Sequence, residues 1–178
     1  MLTRNLLLAA AASLSFAACS SAEMDSAAAG MAMPADPTPE QRAPYVMMAA
    51  SSDMYEIQSG QLAQQRSQNG QIRQFGAMLV QHHTQTTQQL MAAAQASGTP
   101  MPTGMMPLHA EMLRRLQAAS ASEFDRMFQM QQVTAHEMAL ALHRNYAQNG
   151  DAPALRQTAM AATPIIQQHL TLARNYRR

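Results

Sequence analysis

From residue 44 onward the apolar positions recur three and four apart, the period of an amphipathic helix. Ile72, Phe75, Leu79, His83, Thr86 and Leu90 form one such stripe, and Leu155, Ala159, Ala162, Ile166, His169, Ala173 and Tyr176 form another. No segment alternates with the period of two that a half-buried strand requires. Gly, Pro and Asn divide the pattern into elements. A first helix is expected over about 44–68, with Pro44 at its start and Asn69-Gly70 at its end. A second spans about 71–97 and stops at Gly98 and Pro100. A loop over 98–107 leads to a short helix over about 108–119. A third long helix begins at Ser122, where Ser122-Glu123-Phe124-Asp125 has the form of a capping box, and runs to Asn149-Gly150. The last covers about 153–176, with Pro164 expected to bend it. The expected fold is all-α: an antiparallel four-helix bundle with an extra short helix between the second and third long helices. Helices of about 24–28 residues are each about 36–42 Å long at 1.5 Å per residue.

The composition agrees with helix. The chain has 17 Met, four Phe, four Tyr and no Trp. Ala and Gln are abundant and β-branched residues sparse, a mix that loses little side-chain freedom in a helix. Its length of 178 residues suits one domain plus tails. All 12 basic residues are Arg, against 11 acids, and the formal net charge is +1. Without Arg4 the remainder is formally neutral, so neither a nucleic-acid patch nor a polybasic membrane surface is present.

The first nineteen residues read as an export signal. Arg4 precedes an apolar run from Leu6 to Ala18, which is too short for a stable membrane span. The run ends Leu14-Ser15-Phe16-Ala17-Ala18-Cys19, and small residues before a Cys resemble the lipobox of bacterial lipoproteins. Phe16 stands where Leu is usual. The resemblance implies cleavage before Cys19 and acylation there, which would anchor the protein to a membrane through several acyl chains. Cys19 is the chain's single cysteine and has no internal disulfide partner. Ser20, not Asp, follows it, which by resemblance to enterobacterial sorting favours the outer membrane, facing the periplasm. Residues 1–18 are thus expected to be a signal peptide. Residues 19–43, broken by Pro34, Pro37 and Pro39, are expected to be the lipidated Cys and a flexible tether, and residues 44–176 the domain.

Three of the six histidines, His83, His136 and His169, fall near the middle of three different helices, and Glu56 falls near the middle of the first. Glu56 and His83 each lie about 18 Å from the turn joining their helices. His136 lies about 20 Å and His169 about 24 Å from the turn joining theirs. One carboxylate and three imidazoles converging in a bundle core make a ligand set for a transition metal ion such as Fe, Zn or Cu. The other reading is a set of buried neutral imidazoles hydrogen-bonded to one another, to Glu56 or to Gln side chains.

The runs Pro44-Tyr-Val-Met-Met-Ala-Ala, Tyr55-Glu-Ile-Gln-Ser-Gly-Gln-Leu-Ala63, Phe75-Gly-Ala-Met-Leu-Val80, His83-Thr84, Phe124-Asp125, Val133-Thr-Ala-His136 and His169-Leu170 resemble an exported bacterial family, the domain-of-unknown-function family 4142 (DUF4142). The resemblance covers about residues 44–176. It implies an exported, ferritin-like helical bundle and names no activity. The family pattern falls on Glu56, His83, Asp125, His136 and His169. Where this chain has His82-His83-Thr84, the family usually reads Asp-His-Thr, so a carboxylate beside the candidate site is lost.

Ferritin-type di-iron centres use Glu-x-x-His pairs, but Val80, Val133 and Ile166 stand three residues before the histidines. A mononuclear site, or none, remains, and a redox enzyme on this scaffold ranks last. Asp125, about 16 Å along the helix from His136, is assigned to capping. His143, one heptad beyond His136, is either a partner of the site's ligands or a surface residue, and the surface is the reading preferred. Met24, Met31 and Met33 in the tether, and Met101, Met105 and Met106 near His109 in the loop, could hold Cu(I) or could simply pack. No nucleophile elbow, phosphate loop or acid–base carboxylate pair is present, so no catalytic residue is expected. The expected function is an envelope-anchored bundle that binds one metal ion. The alternative is a structural bundle docking an envelope protein partner. A ferritin-like threading needs a long connection between the second and third long helices, which residues 98–121 could supply; up-down-up-down threading stays open.

Overall fold

The computed structural model describes residues 38–176. The signal, Cys19 and most of the tether lie outside the described residues. Five helices follow one another: α1 Arg42–Arg66, α2 Gly70–Ala96, α3 Pro107–Ala118, α4 Ala121–Asn149 and α5 Pro153–Asn175. Among the described residues there is no strand, and no helix is long and apolar enough to cross a membrane.

The threading follows from which helices touch. α1 packs on α2, α4 on α5, α2 on α5 and α1 on α4, so α2 and α4 sit on a diagonal. α2 ends beside the start of α1, where the Arg42 guanidinium donates to the Ser97 carbonyl at 3.0 Å. α3 then runs back along α1 and α4, and its last carbonyls, Leu116 and Gln117, accept from Arg66 at the other end of α1. α4 therefore starts where α1 ends and runs parallel to α2. This single long crossover, with α3 inside it, is the ferritin-like threading of the two left open by the sequence. Arg66 also sits 4.7 Å over the Phe124 ring, so one side chain ties α1, α3 and α4 together.

Local signals place the ends. Gly98 has φ 65°, and its N–H and that of Thr99 donate to Gln95 (3.1 Å) and Ala94 (2.9 Å), the Schellman pattern. The Asn69 side chain accepts from the Gln71 N–H at 2.9 Å, so Asn69 opens α2 rather than merely ending α1. α1 begins at Arg42, two residues before the expected Pro44. Proline is tolerated there because first-turn N–H groups have no partner within the helix. The capping pair of α4 is Ser120 with Glu123, not Ser122 with Asp125: Ser120 is the N-cap, and its hydroxyl donates to Glu123 at 2.7 Å. Asp125 is consequently in the second turn, where it cannot cap, and its buried Oδ1 has no partner among the described residues. Pro164 lies within α5, which continues through it.

The core has two apolar ends. Tyr45, Val46, Leu90, Leu142, Tyr146 and Leu155 fill one, with the Tyr45 and Tyr146 rings stacked 3.7 Å apart. Ile72, Phe75, Leu79, Leu116, Phe124 and Phe128 fill the other. Met101 and Met106 pack on the first end, and Met105 packs on the Tyr55–Met112 cluster, so the loop methionines serve as filler. His143, expected at the surface, is buried. Tyr45 on α1 supplies a polar partner, its hydroxyl 3.1 Å from His143 Nδ1.

α1 and α2 cross at Gly60 and Gly76. A Cβ added to Gly60 would lie 2.6 Å from the Gly76 carbonyl oxygen. Helix propensity alone favours Gly60→Ala by about 1 kcal/mol. We expect the backbone clash to outweigh that gain, leaving G60A less stable than the wild type by roughly 1–3 kcal/mol in urea unfolding. Gly104→Ala, where a Cβ meets open space, should be neutral or slightly stabilising. An unchanged midpoint for G60A would refute the close crossing.

Candidate metal centre

Between the two apolar ends lies a buried polar layer. α1 contributes Asp53, Glu56 and Ser59, α2 contributes His83 and Thr86, α4 contributes Gln132 and His136, and α5 contributes His169. These residues sit on the inward faces because their spacing continues the apolar stripes of each helix.

His83, His136 and His169 meet. Each offers one ring nitrogen, and the three nitrogens lie within 4.8 Å of one another. The ring centroids are 5.3–5.8 Å apart. Glu56, the fourth residue of the expected ligand set, is beside this group but not within it. Its Oε1 lies 3.7 Å from His136 Nδ1.

The surrounding hydrogen bonds fix the rings. Asp53 Oδ1 accepts from His83 Nδ1 at 2.7 Å. The same carboxylate is 3.1 Å from the Thr86 and Thr87 hydroxyls. His136 Nδ1 donates to the Gln132 carbonyl at 2.8 Å, so that nitrogen carries the proton. Both rings therefore turn Nε2 toward the shared space. His136 Nε2 is 3.3 Å from His169 Nδ1, and His169 Nε2 is 2.9 Å from His82 Nδ1. His82 stacks on His169 with 13° between the planes.

Unsatisfied atoms concentrate in this layer. Of the six buried side-chain N and O atoms lacking a partner among the described residues, four belong to it: both Glu56 oxygens, His83 Nε2 and Gln132 Oε1. Leaving such atoms bare is costly, which makes their clustering informative.

Burial and one ion pair set the charges. Burial depresses His136 to about 3 and His169 to about 2, helped in each case by the charge that His83 carries when protonated. Burial also pulls on His83, but the hydrogen bond and charge of Asp53, with Glu56, outweigh it and hold His83 above its ordinary value. Glu56 is raised to about 8 by burial, against the pull of His83. Burial lowers His109 to about 4, where its Nδ1 is 2.7 Å from the Ser51 hydroxyl, and His143 also to about 4.

Sequence reasoning missed Asp53, Ser59 and Gln132 in the layer and His82 beside it. Asp53 precedes Glu56 by one helical turn in a mid-helix position where Asp is otherwise unfavourable, and that was its available signal. His82 was noticed only as a missing carboxylate. It is instead a half-buried imidazole in contact with the site.

A family model described as a domain of unknown function (DUF4142) matches residues 26–176, and the chain belongs to this family. No curated protein and no solved structure matches the chain.

Two pH effects follow. Neutral burial of His109, His136, His143 and His169 contributes stability above their unfolded value of about 6.5 that is lost as pH falls toward their folded values. We expect the urea midpoint to drop steeply between pH 6.5 and 5, at up to about 1.4 kcal/mol per pH unit for each ring. A flat midpoint over that range would contradict the burial. Glu56 acts in the opposite direction. Its folded pKa is raised, so the wild type loses stability as pH climbs from about 4.5 to about 8. Glu56→Gln should match the wild type near pH 5 and exceed it at pH 8.5 by roughly 2–5 kcal/mol.

Proposed function

We propose that this member of the DUF4142 family binds a single transition metal ion through His83, His136 and His169, in an exported protein anchored at Cys19. The observation that carries this reading is the buried, unpartnered His83 Nε2, aimed where His136 Nε2 and His169 Nδ1 already lie 3.3 Å apart. Two nitrogens bound at 2.0–2.1 Å to a tetrahedral ion are themselves about 3.3 Å apart. Asp53 on His83 and the Gln132 carbonyl on His136 supply the outer hydrogen bonds that orient metal-bound imidazoles.

Three imidazoles suit Zn, Cu or Fe, and a bound ion would act as a Lewis acid or redox centre. Glu56 would balance its charge from beside the rings, since a nearby cation favours the carboxylate form. Carboxylates sufficient for two irons are missing here: Asp53 is occupied by His83, leaving Glu56 alone. This supports a mononuclear centre in metal handling or envelope stress, with no catalytic constellation.

The competing reading is a structural core in which the imidazoles bond only to each other. The His82–His169–His136 contacts favour it, but it leaves His83 Nε2 and both Glu56 oxygens unexplained.

Metal analysis after loading with zinc should give one ion per chain in the wild type and none in His136→Ala. Asp53→Asn should weaken binding about 10–100-fold while keeping the ligands. Thermal melts would confirm that both variants are folded. No ion in the wild type, or equal ion in H136A, rules the proposal out.

A further inference from the structure

The outer surface of the bundle carries one kind of large apolar side chain. Among the described residues the exposed ones are Met47, Met91, Met130 and Met160, between 42% and 61% accessible. Every Leu, Ile, Val, Phe and Tyr of the same stretch is buried or half-buried. The four methionines stand one on each long helix, α1, α2, α4 and α5, so each of these helices presents a thioether to solvent. Helix propensity does not call for this. Met is no better a helix former than Leu, Arg or Gln, and the last two suit a solvated face better. What Met adds is a sulfur atom with accessible lone pairs.

The rest of the described surface lacks competing groups. The side chains that react with a hypohalous acid are thioethers, thiols, amines, imidazoles, indoles and phenols. The chain has no Lys and no Trp. Its six His and four Tyr are buried or half-buried. An oxidant of this kind therefore meets the exposed thioethers first. Two further methionines, Met48 and Met112, are packed in the core at 8% exposure. A sulfoxide there would place a polar group among apolar neighbours, whereas at the four exposed positions water solvates it. At Met130 a donor is already in place. Arg126 Nη1 lies 3.6 Å from the Met130 sulfur, and a sulfoxide oxygen accepts from it more strongly than a thioether does.

We infer that Met47, Met91, Met130 and Met160 are oxidation sites that consume hypohalous acid at the surface and spare the core. In the step, a sulfur lone pair takes chlorine from hypochlorous acid as the O–Cl bond breaks and hydroxide leaves. Water then adds to sulfur, chloride departs and two protons are released, one of which neutralises the hydroxide. The net change is one thioether and one hypochlorous acid to one sulfoxide, one chloride and one proton. Sulfur gives up two electrons and chlorine gains them. The step uses no metal ion and stands apart from the three-histidine centre.

The test treats the full chain with hypochlorous acid at four equivalents, one for each exposed methionine. Peptide mass spectrometry then locates the sulfoxides, and a thermal melt reports the fold. We expect the four exposed positions to oxidise at least about 5-fold faster than Met48 and Met112, with the melting midpoint unchanged. Equal oxidation of exposed and core positions would overturn the inference, and so would loss of the melt. A second protein, with Met47, Met91, Met130 and Met160 all changed to Leu, keeps the bulk of each side chain and loses the sulfur. Its untreated melt should match the wild type. The same dose should then reach Met48 and Met112 and lower the folded fraction. If this variant survives the dose as well as the wild type does, the exposed thioethers do not spare the core.

Discussion

The hydrogen bond between Asp53 and His83, 2.7 Å long and buried on all sides, governs the middle of this molecule. Either partner alone would be an isolated charge in an apolar bundle, which is far more costly than a paired one. Together they raise the proton affinity of the His83 ring at the centre of a layer whose other imidazoles are pushed the opposite way by burial. Charge on His83 adds to burial in depressing His136 and His169 and opposes burial at Glu56. The two threonines beside Asp53 come from the same helix as His83, so α1 and α2 are locked at this level by one carboxylate. The Gly60–Gly76 crossing lies about two turns from this pair on each helix and brings the backbones close enough for the lock to close.

A pair of this kind is weak evidence of stability. Well-packed apolar residues often do as well or better, and removing one partner is what is costly. The whole polar layer has the same character. It interrupts a core that is apolar at both ends and leaves four buried atoms without a partner among the described residues. A bundle selected only to stand as a spacer has no need of this. The cost is intelligible if the layer is completed by something that accepts three nitrogen lone pairs and tolerates a carboxyl beside them. That reasoning, rather than the count of histidines, is what supports the proposed metal centre over a hydrogen-bonded core.

How much of this was legible in the sequence depends on the period of each signal. The helices were legible because their stripes run unbroken for six or seven positions, and every residue of the Ile72–Leu90 stripe is buried. The histidines His83, His136 and His169 could be placed at one level by rise per residue alone. What could not be read was pairing across helices. Asp53 continues the buried face of α1, but only its contact with His83 shows what it pairs with. His143 was misassigned because its partner, Tyr45, comes from a helix 98 residues away in sequence. The capping residue of α4 was misplaced by two because Ser122 with Asp125 was read in place of Ser120-Ala121-Ser122-Glu123, which has the capping-box spacing itself. The heights of the candidate residues do not distinguish the two threadings, though the long connection over 98–121 allows the crossover. The Arg66 contacts with the end of α3 decide it.

The crossover explains why the site can exist in this order of helices. With α2 and α4 on a diagonal, each long helix touches two others, and the central layer receives side chains from all four. α1 and α2 supply the charged pair, while α4 and α5 supply the two neutral rings. The pair is rigid because it is held by an ion pair, two hydroxyls and a close backbone crossing. The neutral rings are held differently, by a chain of imidazole contacts that ends at His82 on α2. The layer therefore combines one half fixed by a buried ion pair and a close backbone crossing with another held by ring contacts alone, and the three nitrogens meet where the two halves join.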